Sequence, residues 1–170
     1  MLISHVMYRY SEAVGLLYTS NTLNVRQTRT IVGMQKSMLP HRLRMIRSLH
    51  IDVPLHYQWK NGKVVGYEES WPENILTFWE PAWSVIAEIN GLLNLKVTLS
   101  CRTPREIDQE TLVHILQPMM TINHVPDFAL EIFLPLPEQL LEGVLQSLGG
   151  DPPFSVEVKK HIHMPDAPPW

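Results

Sequence analysis

The sequence predicts an α/β fold, an irregular leucine-rich-repeat-like arrangement in which a mostly parallel sheet of about five strands carries helices packed on it. Three observations predict it. The phrase Leu-x-x-Leu-x-Leu-x-Leu recurs: as Ile46, Leu49, Ile51 and Val53, as Leu92, Leu95, Val97 and Leu99, and as Val125, Phe128, Leu130, Ile132 and Leu134, with a degenerate copy at Phe154, Val156 and Val158. Each copy alternates apolar and polar residues with period two, the pattern of a strand with one buried face. Helical patterns separate the copies, and a parallel pair needs a crossover of that kind. The intervals from Leu23 through Leu49, Leu95 and Phe128 to Phe154 are too uneven for a regular leucine-rich repeat.

The elements follow in order. Ser11 to Tyr18 reads as a short helical stretch, Ser20 to Val25 as a short strand, and Thr28 to Leu39 as a helix closed by Pro40, which opens a further turn into the Ile46 strand. Lys60-Asn-Gly-Lys63, between Tyr57 and Val64, reads as a tight hairpin inserted between repeats. Ser70-Trp-Pro-Glu73 and Thr103-Pro-Arg-Glu106 have the capping-box form with proline at the first helical position, so helices begin near Pro72 and Pro104. The first carries the stripe Ile75, Leu76, Trp79, Trp83, Ile86 and Ile89, is expected to kink or restart at Pro81, and ends at Asn90-Gly91. The second carries Ile107, Leu112, Ile115, Leu116 and Met119, and Pro118 bends or ends it. A third begins at Pro137, carries Leu140, Leu141, Val144, Leu145 and Leu148, and stops at Gly149-Gly150.

The chain of 170 residues is long enough to bury an ordinary core, and it reads as one domain over residues 1–160 with a flexible tail at 161–170. A single cysteine, Cys101 at the end of a strand phrase, leaves no internal disulfide framework and reads as a small buried hydrophobe. No basic leader precedes an apolar stretch at the N-terminus, and no window reaches a membrane span, so an intracellular protein, cytoplasmic or nuclear and away from membranes, is the expectation.

The stretch Tyr10-Ser-Glu-Ala-Val-Gly-Leu-Leu-Tyr-Thr-Ser-Asn-Thr-Leu23, with Met38-Leu-Pro-His-Arg-Leu43 and Ile46-Arg-Ser-Leu-His-Ile51, resembles a large family of uncharacterised fungal domains. The later Gly91-Leu-Leu-Asn-Leu-Lys-Val97 fits the same pattern, and the likeness extends over most of residues 8 to 135. Proteins of that family often have an F-box-like helical segment followed by an irregular leucine-rich-repeat-like region. Here the F-box-like segment would lie before Met1, and Met7-Tyr-Arg-Tyr10 stands where the family usually has Cys-Arg-x-Tyr. The resemblance implies a protein-interaction role, with a ubiquitin-ligase component as its specific form, and it carries over no catalytic residues.

No phosphate loop, dinucleotide fingerprint, zincin motif or nucleophile elbow is present, so the expectation is a non-enzymatic domain without catalytic, cofactor-binding or metal residues. His161 and His163 share one face of an extended segment near Asp166, but zinc wants four ligands, and solvated histidines are the better reading. Charge is uneven: residues 1–60 hold eight Lys/Arg against two acids, and residues 61–170 hold six against fifteen. Arg42, Arg44 and Arg47 lie in an acid-free run between Glu12 and Asp52, which makes an acidic partner or a nucleic acid the alternative reading. No aromatic platform is interleaved with them and the net charge is −3, so nucleic acid is the weaker candidate. Trp59 and Trp71 flank the hairpin and, with Arg42, Arg44 and Arg47, form the candidate interaction surface toward a protein partner that the sequence does not identify. Alternate strand positions are core, which leaves His50, Asp52, Lys96, Thr98, Glu131 and Phe133 as positions available for function.

Overall fold

The structure, a computed structural model, describes residues 15–54, 58–60, 63–66, 75–100, 109–133 and 136–159; for 58–60, 63–66 and 75–77 it describes the backbone. A helical turn at 15–19 leads into β1 (Thr22–Val25), α1 (Thr28–Ser37), the short α2 (Pro40–Leu43) and β2 (Ser48–Pro54). The hairpin β3 (Gln58–Lys60) and β4 (Lys63–Gly66) follows, then α3 (Ile75–Ala87), β5 (Asn94–Ser100) and α4 (Gln109–Leu116), which tightens into a 3₁₀ turn over Gln117–Thr121. The described residues finish with β6 (Asp127–Phe133), α5 (Glu138–Ser147) and β7 (Ser155–Val158).

Five strands form one all-parallel sheet in the order β1-β2-β5-β6-β7, and β3 and β4 pair separately as an antiparallel hairpin. The α/β class, the parallel sheet and the five strands are therefore as the alternation predicts. Strands laid down in chain order have crossovers that all run the same way, and crossovers of one hand then place every helix on the same face. Side-chain burial agrees. Leu49, Ile51 and Val53 of β2, Leu95, Val97 and Leu99 of β5, and Phe128, Leu130 and Ile132 of β6 are buried, while the residues between them are half-buried or exposed. The register turns this alternation into apolar rows across the sheet: Leu49 beside Leu95 and Phe128, Ile51 beside Val97 and Leu130, Val53 beside Leu99 and Ile132. A slip by one residue would turn every one of these side chains to the other face.

The helices cover these rows with one stripe each: Ile31 on α1, Trp79, Ala82, Trp83, Val85 and Ile86 on α3, Leu112, Ile115 and Leu116 on α4, and Val144 on α5. Aromatic contacts run from helix to sheet, with Trp79 edge-on to Trp83 at 5.5 Å, Trp83 stacked on Phe128 at 6.1 Å and Phe128 against Phe154 at 5.1 Å. Trp79 Nε1 donates to the Ile115 carbonyl at 2.9 Å, which joins α3 to the end of α4. Trp79 and Trp83 thus belong to the buried stripe, and α3 is continuous through Pro81, with no restart there.

Helix ends are set locally. The α4 helix stops at Leu116 and becomes 3₁₀ at Pro118, whose ring cannot supply the next amide hydrogen. After α5, Gly149 and Gly150 take φ of 107° and 84°, and their amides donate to the Gln146 and Leu145 carbonyls at 3.1 and 2.8 Å, a Schellman termination that favours glycine. Both predicted capping boxes lie outside the described residues, as do Cys101, Ile107 and the tail.

The turn before β5 is clamped to the turn before β2. Arg47 Nη1 donates to the Gly91 carbonyl at 2.7 Å and to the Arg44 carbonyl at 3.1 Å, while the Leu93 and Asn94 amides donate to the Arg47 carbonyl at 2.9 and 3.0 Å. A Cβ on Gly91 would run into the Arg47 guanidinium and the Arg44 carbonyl. Gly91→Ala is accordingly expected to lower stability by about 2 kcal/mol through forced displacement of packed backbone. Gly33→Ala, in the exposed interior of α1 with nothing near its Cβ position, is expected to raise stability by about 0.5–1 kcal/mol. Urea unfolding of the two variants measures both, and equal midpoints would remove the clamp as an explanation for Gly91.

Candidate functional site: the open face of the sheet

Among the described residues the face opposite the helices is left open, and it presents four rows of side chains, each fixed by strand register. Thr22, Ser48, Asn94 and Asp127 form the first, and Asn24, His50, Lys96, Ala129 and Ser155 the second. Asp52, Thr98, Glu131 and Glu157 form the third, and Pro54, Ser100 and Phe133 the fourth. None of these residues is buried, although the central strands β2, β5 and β6 that carry most of them are buried on their other side.

The rows are cross-linked. Thr22 and Ser48 share a hydroxyl–hydroxyl bond of 3.0 Å. His50 lies between two partners, with Nδ1 3.0 Å from Asn24 Oδ1 and Nε2 3.0 Å from Thr98 Oγ1. An amide oxygen only accepts, so Nδ1 donates to Asn24, and in the neutral ring Nε2 accepts from the Thr98 hydroxyl. Three strands, β1, β2 and β5, are thereby joined through one imidazole.

On the other half of the face, Glu131 receives two ammonium groups: Lys159 Nζ donates to Oε1 at 2.7 Å, and Lys96 Nζ lies 2.8 Å from Oε2. Lys159 also reaches Glu157 at 3.5 Å and stands 5.8 Å above the centre of the Phe133 ring. Partial burial pushes the Glu131 carboxyl up, but the hydrogen bonds and charges of Lys159 and Lys96 outweigh it and hold its pKa below the ordinary value of 4.5. Lys159 is shifted above its ordinary 10.5, chiefly by its hydrogen bond to Glu131, against a smaller opposing effect of desolvation. At its amino-terminal end the face dips into a shallow hollow of about 280 Å³, lined by Thr22, Ser48, His50, Asn94, Lys96, Asp127 and Ala129 among others.

The residues named from sequence divide. His50, Asp52, Lys96, Thr98, Glu131 and Phe133 are together on this face. Arg42 is half-buried in α2, Arg44 is exposed just after it, and Arg47 is committed to backbone carbonyls. All three lie in the connection that enters β2 rather than on the sheet. Trp59 belongs to β3, where its backbone pairs with Val64, and its side chain and all of Trp71 lie outside the described residues, as do His161, His163 and Asp166. Sequence reading missed Asn24, Asn94, Asp127 and Lys159. The signal for the first three was their place one residue before an apolar strand position, and it acquires meaning only through the register.

Among the described residues no group of three His, Cys, Asp or Glu is placed to hold a metal ion, and no helix is long and apolar enough to cross a membrane. A family model described as a domain of unknown function, DUF7730, matches residues 2–143. The chain belongs to this family. The matched segment includes β1 to β6 and the first half of α5, so β7 completes the DUF7730 sheet from outside it. Comparisons with curated proteins and with solved structures give no match.

The Glu131 cluster makes a pH prediction. A carboxylate whose folded pKa is depressed contributes stability that is fully present above its unfolded value and is lost as pH falls through the folded value. Glu131→Gln is expected to cost about 1 kcal/mol at neutral pH, because the lysines it joins are substantially solvated. That difference should close as the pH drops below 4.5 through the lowered pKa. Chemical unfolding of both proteins from neutral to acidic pH measures it, and a gap independent of pH would show that Glu131 acts through packing.

Proposed function

We propose that this DUF7730 domain is a non-enzymatic protein-interaction module whose docking surface is the open face of the parallel sheet. The single observation that carries the reading is the division of the sheet: apolar rows under the helices on one side, and on the other an ordered polar array held by Asn24, His50, Thr98, Lys96, Glu131 and Lys159. Side chains fixed to each other before a partner arrives lose less conformational freedom on binding. Strand-borne groups are also positioned more rigidly than loop-borne ones. The resemblance to the repeat region of fungal F-box-like proteins supports the same reading, and a place in a ubiquitin-ligase assembly is its finer form, resting on that resemblance alone.

The alternative, an acidic partner or nucleic acid bound through the basic first third, loses Arg47 to the Gly91 and Arg44 carbonyls and keeps Arg42 and Arg44. Two variants separate the readings. Ala129→Arg places a bulky cation in the middle of the open face, and Arg44→Glu reverses an exposed charge in the connection before β2. Affinity capture with quantified partners is expected to lose its specific proteins with Ala129→Arg and to keep them with Arg44→Glu. The opposite result, or binding of mixed oligonucleotides at low salt that Arg44→Glu abolishes, would transfer the function to the basic connection.

A further inference from the structure

We infer that the occupant of the open face is an extended, basic segment of a partner protein, a refinement that rests on the reading of this face as the docking surface. Four carboxylates, Asp52, Asp127, Glu131 and Glu157, share the face with two ammonium groups, Lys96 and Lys159. Both ammonium groups are already drawn to Glu131, and Lys159 also reaches Glu157. Asp52 and Asp127 have no ion-pair partner among the described residues, so the charge left over on the face is negative.

Geometry suits a long basic side chain at one end. Asp127 lines the hollow of about 280 Å³ together with the Ser48 and Thr22 hydroxyls, the Asn94 amide, His50 and Lys96. With the Lys96 ammonium paired to Glu131, the oxygens that remain can accept from an ammonium or guanidinium head. Asp52 lies two strands away and four positions further along, a diagonal of roughly 16 Å from strand spacing and rise. An extended chain covers that distance in about five residues. Cations four residues apart project from the same side of such a segment, and their long side chains make up the remainder. Lys96 stands between the two carboxylates, but its ammonium is held by Glu131 on the neighbouring strand. A nucleic acid would meet the unpaired carboxylates with like charge.

The test uses the full chain, isotope-labelled, and three short synthetic peptides of alternating Val and Thr: one with two Arg four residues apart, one with Glu in their place and one with Gln. The Arg peptide is expected to shift the amide resonances of Asp52, Asn94, Thr98 and Asp127 and to bind at least tenfold more tightly than the Gln peptide. Asp52→Asn combined with Asp127→Asn, exchanges that leave the fold's core untouched, should erase that tenfold preference. Binding of the Glu or Gln peptide to the same face as tightly as the Arg peptide would overturn the basic occupant while leaving the docking face in place. Failure of all three to shift the face, together with partner capture insensitive to Ala129→Arg, would overturn both. Shifts confined to α1 or α3, or self-association that the double substitution dissolves, would likewise overturn the proposal, the latter by assigning the face to a second copy of the chain.

Discussion

The rest of the structure depends on the parallel register of β2, β5 and β6. A parallel strand cannot return through a tight turn, so each pairing obliges a crossover, and the crossovers supply the helices that bury the sheet. Register and coverage therefore enforce each other. The apolar rows Leu49–Leu95–Phe128, Ile51–Val97–Leu130 and Val53–Leu99–Ile132 exist only in the observed alignment, and only in that alignment does one continuous apolar surface meet Trp79, Trp83 and Ile86 of α3. The Arg47 clamp pins the alignment where β2 and β5 begin, using a glycine because no side chain fits between the two turns.

Placing the helices on one face leaves the other face to carry a different set of side chains. A parallel sheet covered on both sides has hydrophobic strands throughout, whereas here every second residue of each central strand is polar or small except Pro54 and Phe133 at the carboxy-terminal ends of β2 and β6. Those residues do not simply face water. The imidazole of His50 unites three strands, and Glu131 gathers two lysines from its two flanks, so side chains of this face are tied to one another across the strands. Such a surface holds donors, acceptors and charges across five strands, and the docking proposal rests on that array.

Much of the fold was legible because local signals and tertiary placement agree. Alternation marked the three central strands, proline and glycine marked the ends of α1, α4 and α5, and the Asn61-Gly62 pair lies between β3 and β4. The stripe of α3 was read with Trp79 and Trp83 inside, where they lie. Pro81 does not restart the helix, which loses one backbone hydrogen bond there and continues. The candidate surface was less legible. Arg47 looks like its neighbours Arg42 and Arg44 in a basic run, and only the approach of the Gly91 carbonyl shows that its charge serves the backbone.

By itself the sequence determined which residues turn inward: period-two alternation is a property of the strand backbone and needs no partner to be read. It also marked, through Pro40, Pro118 and the Gly149-Gly150 pair, where α1, α4 and α5 stop. Only the tertiary structure decided that all the helices share one face and that His50 meets both Asn24 and Thr98. It alone decided, too, that Lys159 and Lys96 converge on Glu131. Those residues are 26 to 48 positions apart in the histidine cluster, and their meeting depends on strand order and register, which are set by the burial of the whole sheet rather than by any local stretch of chain.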